Sequence, residues 1–158
     1  IRFEFNYAIS AILCLAHDLF FTLSAIAILH KLHIPIQIDL NTIAALMTII
    51  GYSLNDTIIV FDRIREDMQF MRKMSLIDIM NHSLNVTLSR TLMTSGTTLL
   101  VLVPLLFLGG STLFGFSLVM VIGVIFGTLS SLFIAAPLMK FFYEWELQKL
   151  SKMKLNER

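Results

Sequence analysis

Four long stretches of this chain are almost free of charged residues, and nearly all of its charge lies outside them. They run from about Tyr7 to Leu29, Leu40 to Phe61, Thr91 to Leu108 and Leu113 to Phe142. Each approaches or exceeds the roughly 20 residues that carry a helix across a bilayer core about 30 Å thick. The fourth is longer and is expected to tilt or protrude. The pattern predicts an all-α, polytopic membrane helix bundle with four transmembrane helices. Composition agrees: 56% of the 158 residues are hydrophobic and 15% are charged, where a soluble domain carries roughly 25% charged residues. Mean hydropathy is +0.80. A soluble globular protein is excluded, and a net charge of +1 gives no electrostatic footprint for nucleic acid. The lipid bilayer is the first partner implied.

The interval between the second and third stretches is patterned too. Ser75-Leu76-Ile77-Asp78 has the spacing of a helix-start capping box, in which the Ser oxygen accepts from the N–H three residues on. Leu76, Met80, Leu84 and Leu88 then recur at i, i+4 beside Asn81, His82 and Asn85. This predicts a cytoplasmic amphipathic helix over about 75–89, lying against the bundle or the inner leaflet.

The basic residues set the expected orientation. Of twelve Lys and Arg, Lys31 alone falls between the first two stretches and none falls in Gly109-Gly110-Ser111. Arg2, Arg63, Arg65, Arg72, Lys73, Arg90, Lys140, Lys149, Lys152, Lys154 and Arg158 fall on the other side. The positive-inside rule therefore predicts that both ends and the middle loop are cytoplasmic. The chain starts at Ile1 without a signal-peptide pattern, and a fragment of a longer protein is expected. Cys14 lies in an apolar stretch and is read as a small buried hydrophobe.

Some polar residues break the apolar pattern. Asp56, within Gly51-Tyr52-Ser53-Leu54-Asn55-Asp56-Thr57, costs about 2.5–3.5 kcal/mol at the centre of a spanning helix. Such a residue faces protein or trapped water and is by default an ion or proton site. It lies six residues before Asp62, hence about 9 Å from the inner end of its helix. Arg90 opens the third stretch from that same end, ahead of Thr91, Thr94, Ser95, Thr97 and Thr98. If the two helices are adjacent, Arg90 meets Asp56, and Thr94 shares Arg90's face at i+4; snorkelling of Arg90 to headgroups is the alternative. Asp18 is a second intramembrane carboxylate, read as a supporting polar contact between helices. Its neighbour His17 is expected to point to another face, which disfavours a dyad. Gly123 and Gly127, followed by Ser131, form a G-x-x-x-G step suited to close helix packing.

The run Gly51 to Glu66 closely resembles the fourth transmembrane helix of the SecF family, and Leu88 to Leu99 the start of its fifth. Ala16-His17-Asp18 and Gly115-Phe116-Ser117 match as well. The resemblance extends to the SecD/SecF protein-export proteins of the resistance-nodulation-division superfamily. It implies that the four spans are helices three to six of a six-helix half, in the bacterial inner membrane. It also implies a proton relay of Asp56, Arg90 and Thr94, with Asn55 and Asp18 in support. The protein would be a non-enzymatic translocation factor, with the proton as coupling ion and no other cofactor or metal. Expected partners are SecD, separate or fused upstream, the SecYEG translocon, a translocating preprotein, and YajC and YidC. A proton-driven small-molecule exporter of the same superfamily is the nearest alternative. An intramembrane aspartyl protease would pair Asp18 with Asp56, yet no Gly-x-Gly-Asp sequence occurs.

Overall fold

The computed structural model describes residues 2–34, 36, 38–71 and 73–156. They form α1 (Arg2–Lys31), α2 (Leu40–Phe70), α3 (Leu76–Leu108), α4 (Gly110–Phe133) and α5 (Ala135–Asn156), with no strand among the described residues. Four segments are long and apolar enough to cross a membrane: one each in α1, α2 and α3, and a fourth made by α4 and α5 together.

Local chemistry starts the helices where the sequence marks them. Asp39 caps α2 by accepting from the Thr42 backbone N–H at 2.8 Å and the Thr42 hydroxyl at 3.0 Å. These bonds, the backbone one first, hold its carboxyl below the usual carboxylate range. Ser75 caps α3, accepting from the Asp78 N–H at 3.2 Å. The turn from α3 to α4 depends on Gly110, whose φ of +68° lies in the left-handed region that glycine enters without steric cost.

Three boundaries differ from the sequence expectation. α2 continues past Phe61 to Phe70. The helix expected over about 75–89 is continuous with the third span, since α3 runs unbroken from Leu76 to Leu108. No Gly or Pro interrupts that segment, and Ser83 is tied to Asp67 of the extended α2 by a 2.7 Å hydrogen bond. The fourth span is kinked at Ile134. Pro137 has no N–H to give to the carbonyl of Phe133, and its ring displaces that turn. Bonding resumes one residue on, with the Leu138 N–H donating to Ile134 at 3.1 Å.

α2 and α4 form the centre, each packed against all the other helices. Gly123 makes their approach possible: a Cβ there would overlap the side chain of Ile49. One turn on, Gly127 faces Ser53, whose Cβ would lie 3.5 Å from an added methyl. Small residues allow this closeness between membrane helices, where lipid provides no hydrophobic drive for association.

The interior is layered. One apolar core holds Cys14, Val60, Phe61, Ile64, Met80, Ala135, Ala136 and Met139. A second, at the other end, holds Ile26, Ile36, Ala45, Ile49, Leu102, Val119, Met120 and Val124. Between them α1 to α4 switch their buried positions to polar or small residues. On α1 these are Asp18 and Thr22, and on α2 Ser53, Asp56 and Thr57. On α3 they are Thr91 and Ser95, from which the buried hydroxyls run on through Thr87 and Ser83 alongside the first core, and on α4 Gly127, Thr128, Ser130 and Ser131.

Candidate functional site

This polar layer is the candidate site, and its chemistry is hydroxyls around two carboxylates. Burying a hydroxyl without a partner is costly, so most of these groups are bonded. Thr22 donates to the Asp18 carbonyl at 2.8 Å, and Ser95 pairs with Thr128 at 2.6 Å, joining α3 to α4. Tyr52 pairs with Thr98 at 3.0 Å, joining α2 to α3. Cys14 lies 2.9 Å from Ser130, Sγ to Oγ, so it is a polar contact between α1 and α4 rather than only a buried hydrophobe.

Asp56 breaks this rule. It is 3% exposed, and its Oδ2 has no hydrogen-bond partner among the described residues. The antiparallel α2–α3 pair is fixed in register by Tyr52 with Thr98 and Asp67 with Ser83. In that register Asp56 is level with Thr94, and Arg90 lies about one turn nearer the middle loop, level with Val60. No ion pair or hydrogen bond joins Arg90 to Asp56. Arg90 is exposed, as a snorkelling residue would be, and Thr94 is half-buried and donates to the Thr91 carbonyl at 3.0 Å. The expected pairing of Asp56 with Arg90 is therefore absent from this structure. The two helices are adjacent and the residues share a region without direct contact.

Asp18 is 1% exposed and firmly held. Its Oδ2 accepts from the Ser53 hydroxyl beside Gly127, so α1, α2 and α4 meet at this carboxylate. Its Oδ1 lies 3.2 Å from His17 Nδ1, contrary to the expectation that the dipeptide splits across faces. A helical step of about 100° still lets an imidazole swing back over its neighbour's carboxylate. Both oxygens of Asp18 are occupied by these partners, and no hydrogen bond joins it to Asp56, so the two-carboxylate protease geometry is not present. Asn55 is exposed on the outer face of α2, away from the buried layer.

Sequence reasoning missed Ser53 and Thr128 as members of this layer, and Ser83 and Thr87 as its continuation along α3. It also missed the cluster at the end of α2, where Arg63 holds the buried Asp67 at 3.0 Å and Glu66 at 2.9 Å. The signal was present as phase. On α3 the buried hydroxyls lie at 83, 87, 91 and 95, whereas Thr97 of the hydroxyl-rich run is exposed.

The fold and site define a class: a multi-pass α-helical membrane protein that keeps carboxylates inside its bundle. Residues 1–145 match the family described as "Protein export membrane protein SecD/SecF, C-terminal", and the chain belongs to that family. It is 49% identical over 138 residues to the protein translocase subunit SecF of Rhodothermus marinus, covering 87% of this chain and 45% of that protein. Identity to the SecF of Escherichia coli O157:H7 is also 49%, over 137 residues, covering 87% and 41%. The fold matches SecDF in its super-membrane-facing form with a TM-score of 0.81 at 41% identity, covering 96% of this chain and 20% of that one. A Thermus SecDF structure, described as a translocon-associated membrane protein, matches at TM-score 0.79 and 42% identity, covering 90% and 19%. The chain thus spans less than half the length of these relatives.

Proposed function

We propose that this chain is the C-terminal membrane part of a SecF-type subunit that couples the proton-motive force to movement of a secreted polypeptide across the bacterial inner membrane. One observation carries the reading: Asp56 is buried in a hydroxyl-lined layer between two apolar cores, with an oxygen that no group among the described residues satisfies. An intramembrane carboxylate that faces the bundle interior is by default an ion or proton site. The coupling ion is the proton. Arg90 and Thr94 complete the relay, with Arg90 free to approach Asp56 when the carboxylate is charged and to withdraw when it is neutral. The proton biases two packings of α2 and α3, since a ligand shifts an equilibrium only through its differential affinity for the two states.

SecD is the expected partner, fused or separate, because the solved relatives that this fold matches are SecDF chains. The SecYEG translocon, YajC, YidC and a translocating preprotein complete the assembly we propose. The test uses inverted vesicles carrying the full-length complex. An uncoupler should remove a fraction of export of a secretory protein, and vesicles lacking the complex should have no such fraction. Equal export with and without the uncoupler would overturn the proposal.

The same reading puts both ends of the chain and the middle loop in the cytoplasm. A cysteine at Ser111, exposed beside the α3–α4 turn, should react with an impermeant thiol reagent added outside. A cysteine at Ser75, also exposed, should react only after the membrane is opened. Labelling of Ser75 from outside would reverse the orientation and place Arg90 at the outer end.

A further inference from the structure

The buried face of α3 is a ladder of hydroxyls. Ser83, Thr87, Thr91 and Ser95 recur at i+4 and are all buried, so they lie on one line down the inside of the helix. Four residues of helix rise about 6 Å, and one water bridging two hydroxyls spans about 5.6 Å at ~2.8 Å per hydrogen bond. The rungs are thus spaced for single waters. At its upper end the ladder passes Thr91 and Ser95, which bracket residue 94, the level of Asp56 and its unpartnered Oδ2. At its lower end Ser83 donates to Asp67 Oδ2 at 2.7 Å, and Asp67 is held in turn by Arg63.

We infer that Ser83, Thr87, Thr91 and Ser95 position the inner limb of the proton route, linking Asp56 to the aqueous phase at the Asp67 end. This rests on the proton coupling proposed above. The proton that leaves the Asp56 carboxyl passes to an adjoining water. Each hydroxyl then accepts a proton from one water and hands its own to the next, ending as it began. The last water releases a proton to the bulk, so charge and atoms balance with no other reactant. In the resting structure Thr87 donates to the Ser83 carbonyl at 2.9 Å, and the one Ser83 hydroxyl proton is shared between Asp67 and the Ile79 carbonyl, the latter at 2.9 Å. Rotation of the hydroxyls out of these bonds is the step that opens the route. Asp67 fixes the first rung by accepting from the Ser83 hydroxyl.

The alternative is that these hydroxyls only allow close packing. Thr87→Val separates the two, since valine fills the same volume and lacks the hydroxyl, while Thr87→Ser keeps the hydroxyl and loses a methyl. In inverted vesicles carrying the full complex, Thr87→Val should slow the gradient-driven fraction of export about tenfold, the effect of a barrier raised by about 1.4 kcal/mol. Thr87→Ser should retain most of that fraction, and the amount of complex recovered should match wild type for both. Gradient-driven export in Thr87→Val equal to wild type would overturn the inference. So would a loss in Thr87→Ser as large as in Thr87→Val, which marks a packing role. Should Thr87→Val not assemble, Ser83→Ala tests the lower rung by the same readout. Asp56→Asn, run alongside, separates the two levels of argument: if it too keeps the gradient response, the proton reading itself fails. If it loses the response while Thr87→Val keeps it, only the ladder fails.

Discussion

Asp56→Asn is expected to abolish the gradient-driven fraction of export while the complex still assembles. Asparagine has the size of aspartate and keeps a carbonyl oxygen to accept hydrogen bonds, so packing against α3 and α4 changes little. What it loses is the titrating proton. One charge crossing 100 mV is worth about 2.3 kcal/mol, and a complex with no titrating proton at this position draws on none of it. The effect is large because Asp56 Oδ2 is unsatisfied among the described residues, whereas both oxygens of Asp18 are engaged. Asp56→Glu keeps a titrating group on a longer stem and should retain part of the response. The measurement is export into inverted vesicles with and without an uncoupler, normalised to assembled complex. An Asp56→Asn complex that responds as wild type does would show that the proton is handled elsewhere.

The location of that carboxylate was legible in the sequence because an acidic residue inside an apolar helix is expensive wherever it lies. The number of spans was legible for a similar reason, since hydropathy reports the bilayer directly. Helix boundaries were less so. The extension of α2 to Phe70 and the fusion of 75–89 with α3 are held by contacts between the two helices, such as Ser83 with Asp67, and no local propensity announces those. The kink at Ile134 was legible in principle from Pro137 but is invisible to a hydropathy average. Pair geometry was the hardest to read. Asp56 and Arg90 share one end of adjacent helices, yet whether they touch depends on helix rotation, and here Arg90 faces outward. The polar layer as a whole escaped notice because its serines and threonines are individually unremarkable. They become a layer only when four helices bring them to one depth.

Asp18 should behave in the opposite way to Asp56, with stability lost and coupling kept. Its carboxylate is where α1, α2 and α4 meet: Oδ2 accepts from Ser53 beside Gly127, and Oδ1 faces His17. Asp18→Leu fills a similar volume but leaves the buried Ser53 hydroxyl without its acceptor. Such a change costs ~1–3 kcal/mol, reduced to the extent that Ser53 turns back to a carbonyl of its own helix. Asp18→Asn preserves an acceptor for Ser53 and should cost less than about 1 kcal/mol, within the usual net worth of one hydrogen bond. Thermal unfolding of the purified full-length complex in detergent should therefore rank wild type above Asp18→Asn above Asp18→Leu. Per assembled complex, Asp18→Asn should keep its gradient response. The opposite outcome, undiminished thermal stability with a gradient response lost as completely as in Asp56→Asn, would move Asp18 from the packing of the bundle into the path of the proton.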